Sequence, residues 1–427
     1  MKSHYIRVFT GSVCLGIAVM IGACGEKRPR GVTGTQLAYW RTLSGASGEA
    51  QDELVQRFNT ANPSTQVTSE YQGTYGDLAT KLVTATAARS GPDVTQLGTF
   101  EIRQFARSGA LVDLRPYLEG ARGIDRSDWP PTMARAGEID GGVYWLPFNV
   151  AVPVLYYNTE AFARAGRAAP PETWTEFFSL ARTLTVRNED GAVQQAGLAL
   201  WSITWPMFSM VWSEGGELTS RDYSNITLND PVVVKLLAEL QSLIQEGSAI
   251  MPDKASGGHR AAFVNRRVAM ILDSQDAFSE VFKLAHGFMP GVANYPAGVK
   301  GKIYAPGGGG LAMLSTCPED RREAAWSFMR FMLAPEQIGY YAKQTGYAAY
   351  SASAQASAGD LLGDPRYAVI HSTLPFIRAD FSVNMSPAVR TSFDEAFQKI
   401  MVEGADPQTA LDAADAKAEA AIKRELS

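Results

Sequence analysis

The chain has 427 residues, 46% of them hydrophobic and 19% charged, and a formal net charge of −5 at pH 7. This length allows two core-forming domains of about 100 to 200 residues each, and the acidic balance argues against nucleic acid as a partner. Beyond the N-terminal segment, His259, His286 and His371 are widely spaced, so neither a metal centre nor a Ser-His-Asp triad is predicted. No phosphate-loop motif is present either, which argues against nucleotide binding, and we predict no cofactor.

The N-terminal segment has the features of an export signal. Basic Lys2 and Arg7 precede an apolar run at residues 13–21, and the segment closes with Ile21-Gly22-Ala23-Cys24, a pattern that resembles a bacterial lipoprotein signal. An ordinary secretory signal and an N-terminal anchor helix are the alternatives. The apolar run is shorter than the roughly 20 residues that a membrane span needs, which favours the lipoprotein signal.

This interpretation predicts the location of the protein. Residues 1–23 are the predicted signal peptide, and residues 24–35 form a lipidated tether. A diacylated Cys24 then anchors an extracytoplasmic protein to a membrane, in the periplasm or at the cell surface. With Cys24 lipidated, Cys317 has no intramolecular partner, so no structural disulfide is predicted.

Strand and helix patterns alternate along the following segment. Residues 37–40 form an apolar strand pattern, and residues 66–71 alternate like a half-buried strand. Between them, Leu54, Val55 and Phe58 share one face of a predicted helix. Residues 78–83 predict a second amphipathic helix, and residues 94–97 predict another buried strand. This order predicts an α/β fold with a mostly parallel sheet.

Several later helices carry start signals. Thr173 with Glu176, and Thr316 with Glu319, fit capping boxes, in which the threonine hydroxyl accepts a hydrogen bond from the first turn. Prolines at the predicted first helical position follow aspartates at Asp230-Pro231 and Asp406-Pro407. These signals predict helix starts and carry no function.

Three segments of the chain resemble a known family. Residues 144–158 resemble the stretch in extracellular solute-binding proteins of ATP-driven (ABC) importers where the chain first crosses between two lobes. Residues 305–313, followed by the helix pattern at 324–332, look like the second crossing, and Lys343-Gln344-Thr345-Gly346-Tyr347 is similar to the turn before the third. The resemblance implies a two-lobed, type II periplasmic-binding-protein fold, whose lobes close on a ligand in the cleft between them.

The same resemblance implies the division of the chain and its partners. Lobe 1 comprises residues 36–149 plus 304–347, and lobe 2 comprises residues 150–303 plus 348–427. The expected protein is not an enzyme but a monomeric binding protein that captures a small molecule and delivers it to the transmembrane subunits of an ABC permease. The lipid at the N-terminus is its expected contact with the membrane.

Two further motifs resemble the glycerol-3-phosphate and glycerophosphodiester-binding branch of this family. They are Tyr71-Gln72-Gly73-Thr74-Tyr75 and Asn384-Met385-Ser386-Pro387-Ala388-Val389-Arg390. By this resemblance Arg390 is the phosphate-binding arginine, and its planar fork matches two phosphate oxygens. A surface salt bridge is the alternative role for Arg390.

The resemblance also implies the other cleft residues. Gly308 and Gly309 let backbone N–H groups approach the ligand, or serve only as a hinge. Indole rings can pack on a sugar or attract a quaternary ammonium, although they also suit a core. The expected ligand-binding set is Tyr39, Tyr75, Asp77, Trp201, Trp205, Ser274, Gly308, Gly309, Tyr347 and Arg390.

The chain departs from the branch pattern at two places. Gly76 stands where relatives carry an acidic residue, and Asp77 can substitute for it if the loop shifts. Residues 150–152 are Val-Ala-Val, where relatives commonly show small hydroxyl residues. These departures keep a neutral oligosaccharide open as the alternative ligand. A cell-surface glycoside hydrolase, which needs two carboxylates about 5 to 10 Å apart across the cleft, is the alternative from another class.

Overall fold

The computed structural model of the chain describes residues 34–201, 204–220, 225–252, 257–305, 307–378 and 387–426. The predicted signal peptide at 1–23, Cys24 and all but the end of the predicted tether at 24–35 lie outside these residues. Within the described ranges, none of the helices is both long enough and apolar enough to cross a membrane.

Strands and helices alternate through most of the described chain. The strands are β1 Thr35–Arg41, β2 Thr65–Tyr71, β3 Val94–Gly98, β4 Glu138–Ile139, β5 Gly142–Val143, β6 Leu146–Ala151, β7 Pro153–Asn158, β8 Val186–Arg187, β9 Val193–Ala199, β10 Ala249–Ile250, β11 Val268–Ser274, β12 Pro290–Ala293 and β13 Gly307–Met313. The α-helices are α1 Gly45–Ala61, α2 Tyr75–Ala87, α3 Ile102–Arg107, α4 Arg115–Leu118, α5 Pro131–Ala134, α6 Thr159–Arg164, α7 Trp174–Thr183, α8 Thr204–Ser213, α9 Pro231–Gln245, α10 Gly258–Val264, α11 Phe278–Leu284, α12 Glu319–Met332, α13 Pro335–Thr345, α14 Ala352–Ala358, α15 Pro365–Thr373, α16 Pro387–Glu403 and α17 Pro407–Leu426. Short 3-10 helices cover Gln275–Ala277, Gly359–Gly363 and Leu374–Phe376.

The predicted elements of the N-terminal half are confirmed as β1, α1, β2, α2 and β3. In α2, Leu78 and Leu82 are buried as an amphipathic helix requires, whereas Val83 is exposed. Among the helix starts, the hydroxyl of Thr173 accepts from the N–H of Glu176 as predicted, and α9 and α17 begin at the predicted prolines. The predicted cap at Thr316 is wrong, because Pro318 takes the N-cap position of α12.

Lobe 1 is built around a five-stranded sheet in the order β2-β1-β3-β13-β6. β1 pairs in parallel with β2 and β3, whereas β13 pairs antiparallel with β3 and β6. Helices α1, α2, α12 and α13 pack on this sheet or on one another, and the rings of Tyr39, Phe58 and Phe328 meet edge to face in the core between them.

Lobe 2 is built around a second sheet in the order β10-β9-β11-β7-β12, with β8 paired to β9. β9 pairs in parallel with β10 and β11, whereas β7 pairs antiparallel with β11 and β12. Helices α7, α9, α16 and α17 cover it with a core that includes Trp174 and Phe397. The predicted mostly parallel sheet is therefore two mixed sheets, because each receives strands that arrive from the other lobe.

The chain crosses between the two sheets beside β6. A single residue, Val152, separates β6 in lobe 1 from β7 in lobe 2, and the second crossing returns between β12 and β13. After α13 the chain runs along the first crossing, where the N–H of Ala348 donates to the carbonyl of Val150 (3.1 Å) and the hydroxyl of Tyr350 donates to the carbonyl of Pro147 (2.7 Å). One continuous hydrophobic core extends through these segments into both lobes.

Gly308 lies on β13, where the backbone of this strand is in close contact with that of β6. Its φ is +86°, and a Cβ atom there would lie 1.9 Å from the carbonyl oxygen of Asn149 on β6. Both the left-handed backbone conformation and the contact with a neighbouring backbone exclude a side chain. Glycine at this position is therefore a requirement of the strand pairing between β13 and β6.

We expect Gly308→Ala to destabilise the protein beyond the cost of a left-handed alanine alone. Gly191 is the matched control, since its φ is +81° and nothing lies within 4 Å of a Cβ built there. Gly308→Ala should lower the free energy of unfolding by about 1 to 3 kcal/mol more than Gly191→Ala, because the added methyl group overlaps backbone that cannot move aside. Urea unfolding of both variants measures the difference, and equal midpoints would contradict the assignment.

Candidate functional site

A cavity of about 320 Å³ lies between the two lobes. Both sheets and the segment after α13 contribute to its walls. The lining residues are Leu43, Thr74, Tyr75, Gly76, Gly98, Thr99, Phe100, Glu101, Ala151, Trp201, Ser274, Asp276, Gly307, Gly308, Tyr347 and Arg390.

Most of the lobe 1 wall lies at the carboxyl ends of three parallel strands. Leu43 follows β1, residues 74–76 follow β2, and residues 99–101 follow Gly98, the last residue of β3. Because parallel strands end at the same edge of a sheet, these turns lie side by side, which is the usual position of ligand sites in open α/β sheets.

Tyr75 is held in this wall by a chain of buried amides. The side-chain N–H of Asn149 donates to the Tyr75 hydroxyl oxygen (2.9 Å), and the side-chain N–H of Gln96 donates to Oδ1 of Asn149 (2.7 Å). Gln96 Oε1 in turn accepts from the backbone N–H and the hydroxyl of Thr42. Burial raises the pKa of Tyr75, so its hydroxyl keeps its proton and can donate to a ligand.

Glu101 and Arg390 form an ion pair at the cavity from opposite lobes. Arg390 Nη1 lies 3.5 Å from Oε1 of Glu101, and its guanidinium lies 5.6 Å from the ring centroid of Phe100. The Glu101 side chain is only 5% exposed, so burial raises its pKa, and the charge of Arg390 opposes that rise. The pair places one cation and one buried carboxylate at the ligand surface.

Trp201 forms part of the lobe 2 wall and rests on a buried histidine. Its ring centroid lies 4.4 Å from that of His259, whose Nε2 lies 2.8 Å from Oδ2 of Asp273. Arg260 donates two further hydrogen bonds to the Asp273 carboxylate, at 2.6 and 3.0 Å. Burial alone would raise the pKa of Asp273, but these hydrogen bonds hold it below the usual value.

The same buried carboxylate positions two more cavity residues. The backbone N–H of Ser274 donates to Asp273 Oδ1 (2.7 Å), and Arg260 donates to Asp276 Oδ1 (2.9 Å). The Ser274 hydroxyl donates to Gln275 Oε1 (3.2 Å) and accepts from the N–H of Asp276 (3.3 Å). Trp201, Ser274 and Asp276 therefore depend on one ionic cluster behind the wall.

The structure brings most of the expected ligand-binding residues to the cavity. Those that line it are Tyr75, Trp201, Ser274, Gly308, Tyr347 and Arg390. The side chain of Trp205, on α8, lies outside the described residues.

Three expected residues do not line the cavity, each for a clear reason. Tyr39 is buried in lobe 1, where its hydroxyl donates to Gln51 Oε1 (2.8 Å). Asp77 closes the capping box of α2, since its carboxylate accepts from the N–H (2.9 Å) and hydroxyl (2.8 Å) of Thr74, and these bonds lower its pKa. Gly309 packs behind Tyr75, whose hydroxyl would lie 2.6 Å from a Cβ at Gly309.

Sequence reasoning missed Phe100, Glu101 and Asp276. A signal for the first two was present, because they follow the predicted strand at residues 94–97 and so lie at the carboxyl edge of a parallel sheet. Asp276 follows Ser274 by two residues, and the 3-10 turn Gln275–Ala277 brings both to the cavity. No local sequence pattern predicts this 3-10 turn.

With this geometry the chain can be compared with known proteins. Residues 44–338 match the family described as bacterial extracellular solute-binding protein. The chain belongs to this family, whose members are not enzymes but bind small molecules and deliver them to ABC permeases. The fold is accordingly the two-lobed, type II periplasmic-binding-protein fold.

Individual relatives resemble the chain over most of its length. It is 26% identical over 432 residues to the sn-glycerol-3-phosphate-binding periplasmic protein UgpB of Salmonella typhimurium, covering 94% of each chain. The structure of UgpB from Mycobacterium tuberculosis in complex with glycerophosphocholine superposes with a TM-score of 0.81 at 24% identity, covering 92% of this chain and 99% of that one. The substrate-binding protein Lmo0181 from Listeria monocytogenes, in complex with cycloalternan, has a TM-score of 0.77 at 23% identity, covering 91% and 99%.

We expect Arg390→Ala to destabilise the protein more at high pH than at low pH. Without the guanidinium the folded-state pKa of Glu101 rises further, so stability falls as the pH rises above the ordinary pKa of 4.5. The loss should be about 1 kcal/mol larger at pH 8 than at pH 4, measured by urea unfolding. In a Glu101→Gln background the same substitution should show no such pH dependence. A loss that varies equally with pH in both backgrounds would refute the coupling.

Proposed function

We propose that the protein binds a zwitterionic glycerophosphodiester, such as glycerophosphocholine, in the cavity between the lobes and delivers it to an ABC permease. The observation that carries the proposal is the charge pattern of the cavity lining. Arg390 is paired with Glu101 of lobe 1, and a second carboxylate, Asp276, belongs to the lobe 2 wall. The likeness to UgpB proteins, one of them solved with glycerophosphocholine, supports the same ligand class.

The charge balance favours a diester over glycerol 3-phosphate. The lining carries two carboxylates, Glu101 and Asp276, against one guanidinium, Arg390. A phosphomonoester would add up to two negative charges beside Glu101 and Asp276, whereas a diester adds one and a quaternary ammonium cancels it. Like charges in a partly dehydrated cavity repel strongly, so the zwitterion is the better match.

The aromatic lining supplies a place for the cationic end of such a ligand. Tyr75, Phe100, Trp201 and Tyr347 all contribute to the cavity walls. A quaternary ammonium over such a ring gains roughly 0.5 to 2 kcal/mol. The phosphate, in contrast, needs the fork of Arg390.

A neutral oligosaccharide is the second candidate ligand. Aromatic rings also pack on the apolar faces of sugars, and the similar Lmo0181 is solved with cycloalternan. Such a ligand would pack a sugar ring on Trp201 and use the carboxylates as hydrogen-bond acceptors for its hydroxyl groups. It would not require a cation at Arg390. This difference makes Arg390 the residue that separates the two candidates.

The test is calorimetric titration of the Cys24→Ala chain with glycerophosphocholine, glycerol 3-phosphate, maltose and trehalose. Arg390→Ala should weaken binding of glycerophosphocholine by about 10- to 100-fold, because charge-assisted hydrogen bonds to the phosphate are lost. Arg122→Ala, which removes an exposed arginine paired with Glu323, is the control and should leave the affinity unchanged. Binding of a sugar alone, with no effect of Arg390→Ala, would replace the diester by the oligosaccharide.

We also propose the lipid anchor and the lobe boundaries. Residues 1–23 act as a lipoprotein signal, Cys24 carries the lipid, and residues 24–35 tether a monomer to the membrane. Lobe 1 takes residues 36–149 plus 304–347, and lobe 2 takes 150–303 plus 348–427. The change of sheet at Val152, two residues beyond the first proposed boundary, supports a division near this point, and the packing of α16 and α17 on α9 supports the place of the C-terminal helices in lobe 2.

Cys24→Ala should move the protein from the membrane fraction to the soluble fraction of the cell. Two acyl chains on one cysteine suffice for stable anchoring, and without the thiol neither can attach. Cys317→Ala is the matched control, since Cys317 is buried in lobe 1, and this variant should stay with the membrane. Immunoblots of the two fractions give the result. Equal membrane retention of both variants would contradict the anchor.

A further inference from the structure

The edge of the lobe 2 sheet that lies away from the cavity carries a cluster of cations. β11 ends at Ser274 in the cavity wall, so its first residue, Val268, lies at the opposite end of the sheet. Because β7 pairs antiparallel with both β11 and β12, the end of β7 and the start of β12 lie at this same far edge. The segments that meet there are residues 159–167, 265–267 and 283–289.

Hydrogen bonds join these three segments into one surface. Arg266 Nη2 donates to Glu160 Oε2 (3.0 Å), and Arg266 Nη1 donates to the carbonyl oxygen of Gly287 (3.1 Å). The hydroxyl of Thr159 donates to the carbonyl oxygen of Met289 (2.7 Å). The cations of the three segments are therefore neighbours on a single face of the protein.

This face is basic in a protein whose formal net charge is −5. Its three segments contain a single carboxylate, Glu160, but five exposed cations, which we call the basic edge: Arg164, Arg167, Arg266, Arg267 and Lys283. Within the part of the chain that the structure describes, Arg266 alone among them has an ion-pair partner, and Arg164 has only the neutral Oε1 of Gln195, at 3.5 Å. Four positive charges of the basic edge are therefore available to an anionic partner.

Two large apolar side chains are exposed beside these cations. Met289 is 66% exposed and Leu284 is 42% exposed. Both belong to the segment that also carries Lys283, where the chain runs from the end of α11 into β12. Exposed aliphatic side chains next to cations are typical of surfaces that lie on a membrane, where the apolar groups enter the boundary between headgroups and acyl chains.

We propose that the basic edge is a membrane contact that binds anionic phospholipid headgroups, with Met289 and Leu284 inserted between them. Each Lys or Arg near an anionic lipid surface is attracted to it, and the contributions of neighbouring cations add. A guanidinium fork also matches two oxygens of a lipid phosphate. The apolar pair adds a contribution that does not depend on charge.

The proposed lipid anchor makes a membrane the partner nearest to this surface. Extended, the tether at residues 24–33 spans at most about 35 Å, so the protein cannot leave the lipid surface. The tether leads into β1 of lobe 1, whereas the basic edge belongs to lobe 2. The two contacts together would hold both lobes at the membrane that contains the permease. This step rests on the proposed anchor, whereas headgroup binding by the basic edge does not.

The test is co-sedimentation of the Cys24→Ala chain with lipid vesicles, so that no anchor contributes. One set of vesicles contains equal parts of phosphatidylglycerol and phosphatidylcholine, and the other contains phosphatidylcholine alone. The chain should sediment with the acidic vesicles and remain in solution with the neutral ones. Sodium chloride at about 0.5 M should release it, because the screening length then falls to about 4 Å.

Substitutions at the basic edge should weaken binding to the acidic vesicles. Arg167→Gln with Arg267→Gln should raise the dissociation constant at least about tenfold, because two unpaired charges are lost. Arg89→Gln with Lys235→Gln is the matched control, since it removes the same charge from two exposed positions outside the basic edge, and it should have no effect. Met289→Ser should weaken binding about threefold or more, because an inserted apolar side chain is lost.

The outcomes decide between the membrane and other partners. Equal binding by the two double variants, or no binding of the chain to acidic vesicles, would overturn the membrane contact. If the chain binds no vesicles but Arg167→Gln with Arg267→Gln still impairs uptake in cells, the basic edge instead meets an acidic protein surface. Titration with glycerophosphocholine should be unchanged by all these substitutions, because none of them alters a residue that lines the cavity between the lobes. A failure of the membrane contact is thereby distinguished from a failure of the proposed ligand.

Discussion

The first crossing between the lobes is held by side-chain amides from both sides, and the cavity depends on this arrangement. From lobe 2, Gln275 accepts from the N–H of Val152 (2.5 Å) and donates to the carbonyl of Val150 (3.1 Å). From lobe 1, the side-chain N–H of Gln96 donates to Oδ1 of Asn149, the residue before Val150. All these groups are buried, and an unpaired one would cost roughly 1 to 3 kcal/mol. The amides therefore fix the register of the crossing, and through Asn149 they also fix Tyr75.

The two walls of the cavity are stabilised differently. In lobe 1, neutral amides position Tyr75, and the lone carboxylate Glu101 depends on Arg390 from the other lobe. In lobe 2, a buried charge cluster centred on Asp273 supports the wall from behind. The lobe 2 wall is thus complete by itself, whereas the charge of Glu101 is balanced only when the two lobes are together. The Glu101–Arg390 ion pair is consequently a contact between the two lobes at the cavity.

The sequence predicted the elements of this fold better than their arrangement. The strands and helices from β1 to β3 were predictable because hydrophobic period and turn residues are local properties. The direction of the added strands was not, since pairing of β13 with β6 is set by where the chain returns from lobe 2. The cap predicted at Thr316 failed for a local reason, because Pro318, two residues later, occupies the N-cap position of α12. Similarly, Asp77 serves the start of α2, where its Oδ2 accepts from Thr74, and it does not line the cavity.

Tyr39 shows how the site itself could have been predicted more closely. On β1, Leu37, Tyr39 and Arg41 are the buried positions, as the alternation of a strand requires. Side chains two positions apart lie on the same face of a strand. Once Leu37 is assigned to the core, Tyr39 must therefore also face the core, away from a ligand at the end of the strand. The residues beyond the strand ends are free of this constraint, and Glu101 and Tyr75 both belong to that class. In an open α/β lobe, position past a carboxyl end is therefore better evidence for a ligand contact than residue type within the strand.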